Sequence, residues 1–153
     1  MALFRIFSAP SCRAEGGTVA IEFALIAPFL LTLLAGLVEI GFANYQEMQA
    51  QDAAEAGALY AATNGFNVQG ISNAVVNATA NTSITASPAP VSFCGCPSAT
   101  GVSAVACAST CVSGDSPGQY VQVNASIAHD SIVPYLGLPI PATLTGQSTV
   151  RVD

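Results

Sequence analysis

An α+β fold shaped like a lollipop, with one long N-terminal helix packed on a small antiparallel sheet beside a disulfide-stapled loop, is predicted by three features. From Phe23 to Val38 the chain carries no charged residue and a single hydroxyl, Thr32. After Ile40 the helical pattern continues to about Thr63 but becomes amphipathic and rich in alanine. Beyond Gly118 two alternating runs read as strands, and four of the five cysteines lie between the helix and these runs. At 153 residues the chain allows one modest domain beside a membrane segment.

The apolar run sets the frame. Its 16 positions make about 24 Å of helix, short of the ~30 Å hydrocarbon core. Thr18 to Ile21 on one side, and a snorkelling Glu39 on the other, close that gap. Arg5 and Arg13 precede the run, and Arg151 is the only basic residue after it. This asymmetry puts the N-terminus in the cytoplasm and everything past Ile40 outside it. Glu22 stands against the pattern: a carboxylate costs about 2–3 kcal/mol near the bilayer centre and less at an interface. It is therefore either a functional residue or an acid resting at the membrane edge. A net charge of −6 without a basic patch excludes nucleic acid as a partner.

Four segments follow in order: 1–17 as a leader, 18–40 as a transmembrane helix, 41–65 as its amphipathic extension, and 66–153 as a small α+β domain. Pro28 lies inside the helix and should bend it or loosen one turn. In the extension Phe42, Tyr45, Met48, Ala56, Leu59 and Thr63 form an apolar stripe, interrupted at Asp52. Ala50, Ala53, Ala54, Gly57, Ala58, Ala61 and Ala62 form a small-residue surface that permits close approach of another element. Asn64-Gly65 ends the helix. Ile71, Ala74, Val75 and Ala78 predict a short second helix reaching about Ala80. Ile84 to Phe93 alternates weakly, and Pro88 and Pro90 restrict it to an edge or interrupted strand. Cys94 to Gly118 reads as a loop.

The clearest strand follows, with Val121, Val123, Ala125 and Ile127 on one face and Gln122, Asn124 and Ser126 on the other. A proline-rich connection, Val133 to Pro141, leads to a last strand with Leu144, Gly146, Ser148, Val150 and Val152 on one face. Two or three such strands are marginal alone, so the amphipathic half of the helix must cover them.

Cys94, Cys96, Cys107 and Cys111 fall on the oxidising side and read as two disulfides. A four-cysteine zinc site is the competing reading, with spacing unlike the familiar ribbons. Cys94 and Cys96 are poorly placed to bond each other, as are Cys107 and Cys111 if helical. Two connectivities remain: Cys94–Cys111 with Cys96–Cys107, the preferred nested pair, or Cys94–Cys107 with Cys96–Cys111. His129, the only histidine, has Asp130 beside it but no serine or cysteine partner, and reads as a surface or satisfied core residue. No phosphate loop or metal-ligand cluster appears. No enzyme, cofactor or small-molecule substrate is expected.

Gly17-Thr18-Val19-Ala20-Ile21-Glu22-Phe23 resembles the cleavage region of type IV prepilin-like proteins, with Gly before the cut and Glu at the fifth mature position. Its continuation, Glu22-Phe23-Ala24-Leu25-Ile26-Ala27-Pro28, is similar to the TadE-like pseudopilins of the tight-adherence (Tad/Flp) pilus system. The stretch Gln51 to Ala62 resembles that family's Ala-Ala-x-x-Gly-Ala-x-x-Ala segment. Where the family often carries arginines, this chain has Glu55 and Leu59. A cysteine-containing region, a Val-rich strand, a Pro-rich turn and a final strand are also similar to TadE-like ectodomains.

The resemblance implies a single-pass protein of the bacterial inner membrane with a periplasmic C-terminal domain. A prepilin peptidase would cut between Gly17 and Thr18. The partners implied are an assembly platform and other pilin or pseudopilin subunits of an adhesive, biofilm-forming pilus, with a place at its tip or in a priming complex. Glu22, Phe23 and Pro28 would then serve assembly, Glu22 meeting the new N-terminal ammonium of a neighbouring subunit in low dielectric. Two readings compete with this. An ordinary secretory signal would be cleaved after Gly41-Phe42-Ala43, before Asn44, and release a soluble ectodomain. A membrane-tethered or secreted disulfide-bonded binding module would have no pilus role.

Overall fold

A computed structural model describes residues 16–133 and 137–152. The leader therefore lies outside the described residues, apart from the backbone of Gly16 and Gly17. Seven elements follow one another: α1 (Gly16–Asn64), α2 (Val68–Asn77), β1 (Ile84–Thr85), β2 (Val91–Ser98), β3 (Gly101–Ala104), β4 (Gly118–Ala128) and β5 (Thr143–Arg151). Helix α1 is 49 residues long and runs unbroken through Pro28, about 73 Å at 1.5 Å per residue. The Thr32 hydroxyl donates to the Pro28 carbonyl at 2.7 Å one turn away. Gly65, at φ 75°, ends the helix in the left-handed region, and its N–H reaches back to the Ala61 carbonyl. That is the cap the Asn64-Gly65 pair predicts.

All pairings in the sheet are antiparallel, and β4 is its centre. One edge of β4 carries β5 along almost its whole length, from Tyr120 opposite Arg151 to Ala128 opposite Thr143. Its other edge is shared in tandem: β1 pairs at Ser126 and Ile127, and β2 pairs from Gly118 to Gln122. Val121, Val123, Ala125 and Ile127 are fully buried on the helix-facing side, with Leu144 beside them from β5. The period-two reading of both long strands therefore holds. Among the described residues the sheet has five strands, more than the two or three expected.

The helix face that covers the sheet is the small-residue surface, not the stripe of larger apolar residues. Phe42, Tyr45, Met48 and Leu59 all stand exposed. Instead Ala43, Ala50, Ala53, Ala54, Ala58 and Ala61 face inward and are buried. The reason is steric. Gly146 of β5 lies so close to α1 that a Cβ there would overlap the backbone of Ala50 and Gln51. A Cβ at Gly57 would sit 2.6 Å from a Val75 methyl and 2.8 Å from a Val123 methyl. Sheet and helix meet at backbone distance, which only small side chains permit.

Helix α2 starts where Asn67 caps it, the Gly70 N–H donating to Asn67 Oδ1 at 3.0 Å. It buries Ile71 and Val75 against α1, and ends at Asn77 rather than about Ala80. The stretch from Cys94 to Gly118 is not all loop. β2 continues through Cys96 to Ser98 and turns into β3, with Gly95 opposite Ala104 and Ser98 opposite Gly101.

The cysteines pair as Cys94–Cys107 and Cys96–Cys111, with Cα separations of 5.1 and 5.6 Å. The preferred nested pairing is thus corrected, and with both pairs bonded the zinc reading falls away. The hairpin explains the order. β3 runs back along β2 and reaches the level of Cys94, where the Val105 N–H bonds the Cys94 carbonyl. Cys107 follows at once and takes Cys94. A turn closed by the Ser109 N–H on the Ala106 carbonyl then reverses the chain toward Cys96, which Cys111 meets.

Candidate functional site

Two acids bracket the apolar run of α1, and their surroundings are opposite. Glu22 is exposed, and among the described residues no hydrogen bond or ion pair reaches its carboxylate. Phe23 is 68 % exposed, and Pro28 is exposed as well. The backbone of Gly17 and Thr18 continues the same helix. From Val19 to Val38 the large apolar side chains, among them Leu25, Phe29, Leu31 and Leu37, lie uncovered by the rest of the molecule. Helix α1 is long and apolar enough to cross a membrane. Such an uncovered surface of leucine, isoleucine and phenylalanine needs lipid or another protein to cover it.

Glu39, about 25 Å further along the helix, is 1 % exposed. The sequence had this carboxylate snorkelling to water; it is turned into the protein instead. The Ile132 N–H donates to both of its oxygens, at 3.0 and 3.2 Å, and the Val133 N–H adds a bond of 3.2 Å. His129 Nε2 lies 3.3 Å from Glu39 Oε1, an ion pair when the ring is protonated. His129 Nδ1 is hydrogen-bonded to the buried Gln46 side-chain oxygen, which makes Nδ1 the protonated nitrogen because an amide oxygen only accepts. The Phe42 ring closes one side of the imidazole, with centroids 6.1 Å apart.

Each participant follows from its element. Glu39, Ala43, Gln46 and Ala50 recur at steps of four, three and four, so they share the face of α1 that meets the sheet. His129 continues the inward-facing series Val123, Ala125 and Ile127 just past the end of β4. The buried carboxylate therefore takes up backbone donors that a chain leaving a strand would otherwise lose. Sequence reasoning placed His129 as surface or satisfied core; it is buried in the core, with Nδ1 hydrogen-bonded and Nε2 without a hydrogen bond among the described residues. It missed Glu39 and Gln46 as its partners; the four-three-four spacing was the available signal.

The outer half of α1 also manages the edge of the sheet. The Gln51 amide bonds both backbone groups of Gln147, accepting from its N–H at 3.1 Å and donating to its carbonyl at 3.2 Å. A side chain thereby occupies one rung of the open β5 edge, as a neighbouring strand would.

No curated protein and no solved structure matches this chain. The family comparison is positive in the region where the two acids lie: over residues 17–59, from the start of the apolar run through most of the small-residue face, the chain matches the family described as TadE-like protein.

Proposed function

We propose that this protein is a minor pseudopilin, a structural and assembly component of a Tad/Flp-type adhesive pilus. The observation that carries the reading is the TadE-like match over residues 17–59, which spans an uncovered apolar helix with the exposed acid Glu22 near its start. In this reading residues 1–17 are a leader, cut between Gly17 and Thr18 by a prepilin peptidase on the cytoplasmic side. Helix α1 then holds the subunit in the inner membrane, with the sheet domain on the periplasmic side, until an assembly platform extracts it. Glu22, Phe23 and Pro28 belong to the surface that meets other pilin subunits. An exposed carboxylate beside hydrocarbon is unfavourable alone, and a neighbour's N-terminal ammonium relieves it.

Retention on the membrane, rather than release by a signal peptidase before Asn44, is supported by the packing of Glu39 and Ala43. Both would be removed by that cut, leaving the Ile132 and Val133 N–H groups without their acceptor.

N-terminal sequencing of the mature protein discriminates between the two: Thr18 is expected, and Asn44 would overturn the proposal. For Glu22, the Glu22→Ala variant is expected to insert into the membrane at wild-type level while surface pili disappear. Wild-type piliation by that variant would remove the assembly role.

A further inference from the structure

We infer that the protein touches the bilayer twice: besides α1, the connection after β4 rests in the outer interfacial layer through Ile132 and through Leu138 to Ile140. The inference rests on α1 crossing the membrane. Leu138 lines an open apolar groove together with Thr32, Leu33, Gly36, Leu37 and Ile40 of the helix. Leu138 thus lies alongside the last two turns of the apolar run, not above them.

Helix length decides whether that level is lipid. If the hydrocarbon boundary lay below the groove, at Thr32, only Thr18 to Thr32 would remain to cross, about 22 Å. That falls well short of a core of ~30 Å. Extending the crossing through Val38 restores about 31 Å. The span cannot give up Leu33–Val38, so the groove and Leu138 lie at membrane depth.

The chain there is built for such a place. Non-helical backbone survives near lipid only when its polar groups are bonded. Glu39 takes the Ile132 and Val133 N–H groups, and the Ile140 N–H bonds the Leu138 carbonyl. At the base the His129 N–H bonds the Ala142 carbonyl. Pro139 and Pro141 carry no N–H at all. No charged residue occurs between Ser131 and Ala142. Ile132 is 56 % exposed, an isoleucine left uncovered beside a membrane helix. The Glu39 carboxylate is then the device that brings this backbone down: it supplies acceptors where water is scarce, and the backbone neutralises an acid that would otherwise face hydrocarbon.

The chain contains no tryptophan, so single tryptophans report position cleanly. Leu138→Trp, Ile132→Trp, Phe29→Trp and Val112→Trp variants of the full chain are reconstituted in phosphatidylcholine–phosphatidylglycerol vesicles with acyl chains brominated near the headgroup or near the terminal methyl. Tryptophan at 138 and at 132 should be quenched severalfold more by shallow than by deep bromines. Tryptophan at 29, midway along the Thr18–Val38 crossing, should be quenched by the deep set, and at 112, on the far disulfide hairpin, by neither. Adding Glu39→Gln to Leu138→Trp should weaken the shallow quenching. If 138 and 132 behave like 112 while 29 is quenched, the second contact is overturned and the anchor stands. If 29 is also unquenched, the membrane reading itself fails. Protection of 138 from aqueous iodide without quenching by brominated lipid would mean that protein covers the groove, which also overturns the inference.

Discussion

Glu22 and Glu39 are chemically the same residue at the two ends of one apolar run, and the fold gives them unlike tasks. Glu22 lies exposed on the outside of α1 with no partner among the described residues, whereas Glu39 holds two backbone N–H groups and faces His129. Replacing Glu39 with alanine should therefore leave helix α1 intact but free the connection that follows β4. Faster hydrogen exchange, by several fold, is expected at the Ile132 and Val133 amides while the amides of β4 keep their protection. Equal exchange in both variants would mean the carboxylate does not hold the connection. The glycines make a second residue-scale contrast. Gly146→Val has no room against the Ala50 backbone and should destabilise the ectodomain by about 1–3 kcal/mol or more, read by denaturant unfolding. Gly41→Ala meets nothing within 4 Å, and an alanine inside a helix should be neutral or stabilising by up to about 1 kcal/mol.

At the scale of elements, the small face of α1 and the β2–β3 hairpin carry the lesson. A stripe of Phe42, Tyr45, Met48 and Leu59 is the stronger hydrophobic signal in the sequence, yet the alanine and glycine face is buried. Periodicity reports which residues are apolar, not how near the partner comes; the backbone contact at Gly146 selected the small face. The hairpin shows the same limit. Cys-, Ser- and Gly-rich composition hides β3, because a four-residue strand between a turn and a disulfide loop leaves almost no alternation to read. Its direction then decides which cysteine is met first. Removing Cys94–Cys107 by double substitution with serine should destabilise the domain by ~2–4 kcal/mol. Peptide mapping of that variant should still find Cys96 joined to Cys111; a new Cys96 partner would show that the hairpin does not set the pairing.

For the whole molecule, α1 is at once a helix long and apolar enough to cross a membrane and a core element of the domain, in one unbroken run. The helix buries Glu39 and Ala43 within the same turns that end the apolar run. A soluble form beginning at Asn44 should fold, since the faces of Ala50 to Ala61 and the sheet remain, but it should be cut faster by protease between Asp130 and Ala142. A form beginning at Leu37 should resist that cut. Equal cleavage of the two would show that Glu39 and Ala43 add nothing to the domain.

The sequence by itself determined the α+β class, the long helix with its cap at Gly65, the orientation of β4 and β5, and the similarity of residues 17–59 to the TadE-like family. These are local properties: uncharged length, period-two alternation, a glycine stop and a short contiguous motif. Only the tertiary structure decided the buried face of α1, the crossing order of the disulfides and the partnership of Glu39 with His129, Gln46 and the chain after β4. Each of those depends on distances between residues far apart in the chain, such as Glu39 and Ile132 or Ala50 and Gly146. Periodicity along one segment carries no record of such distances.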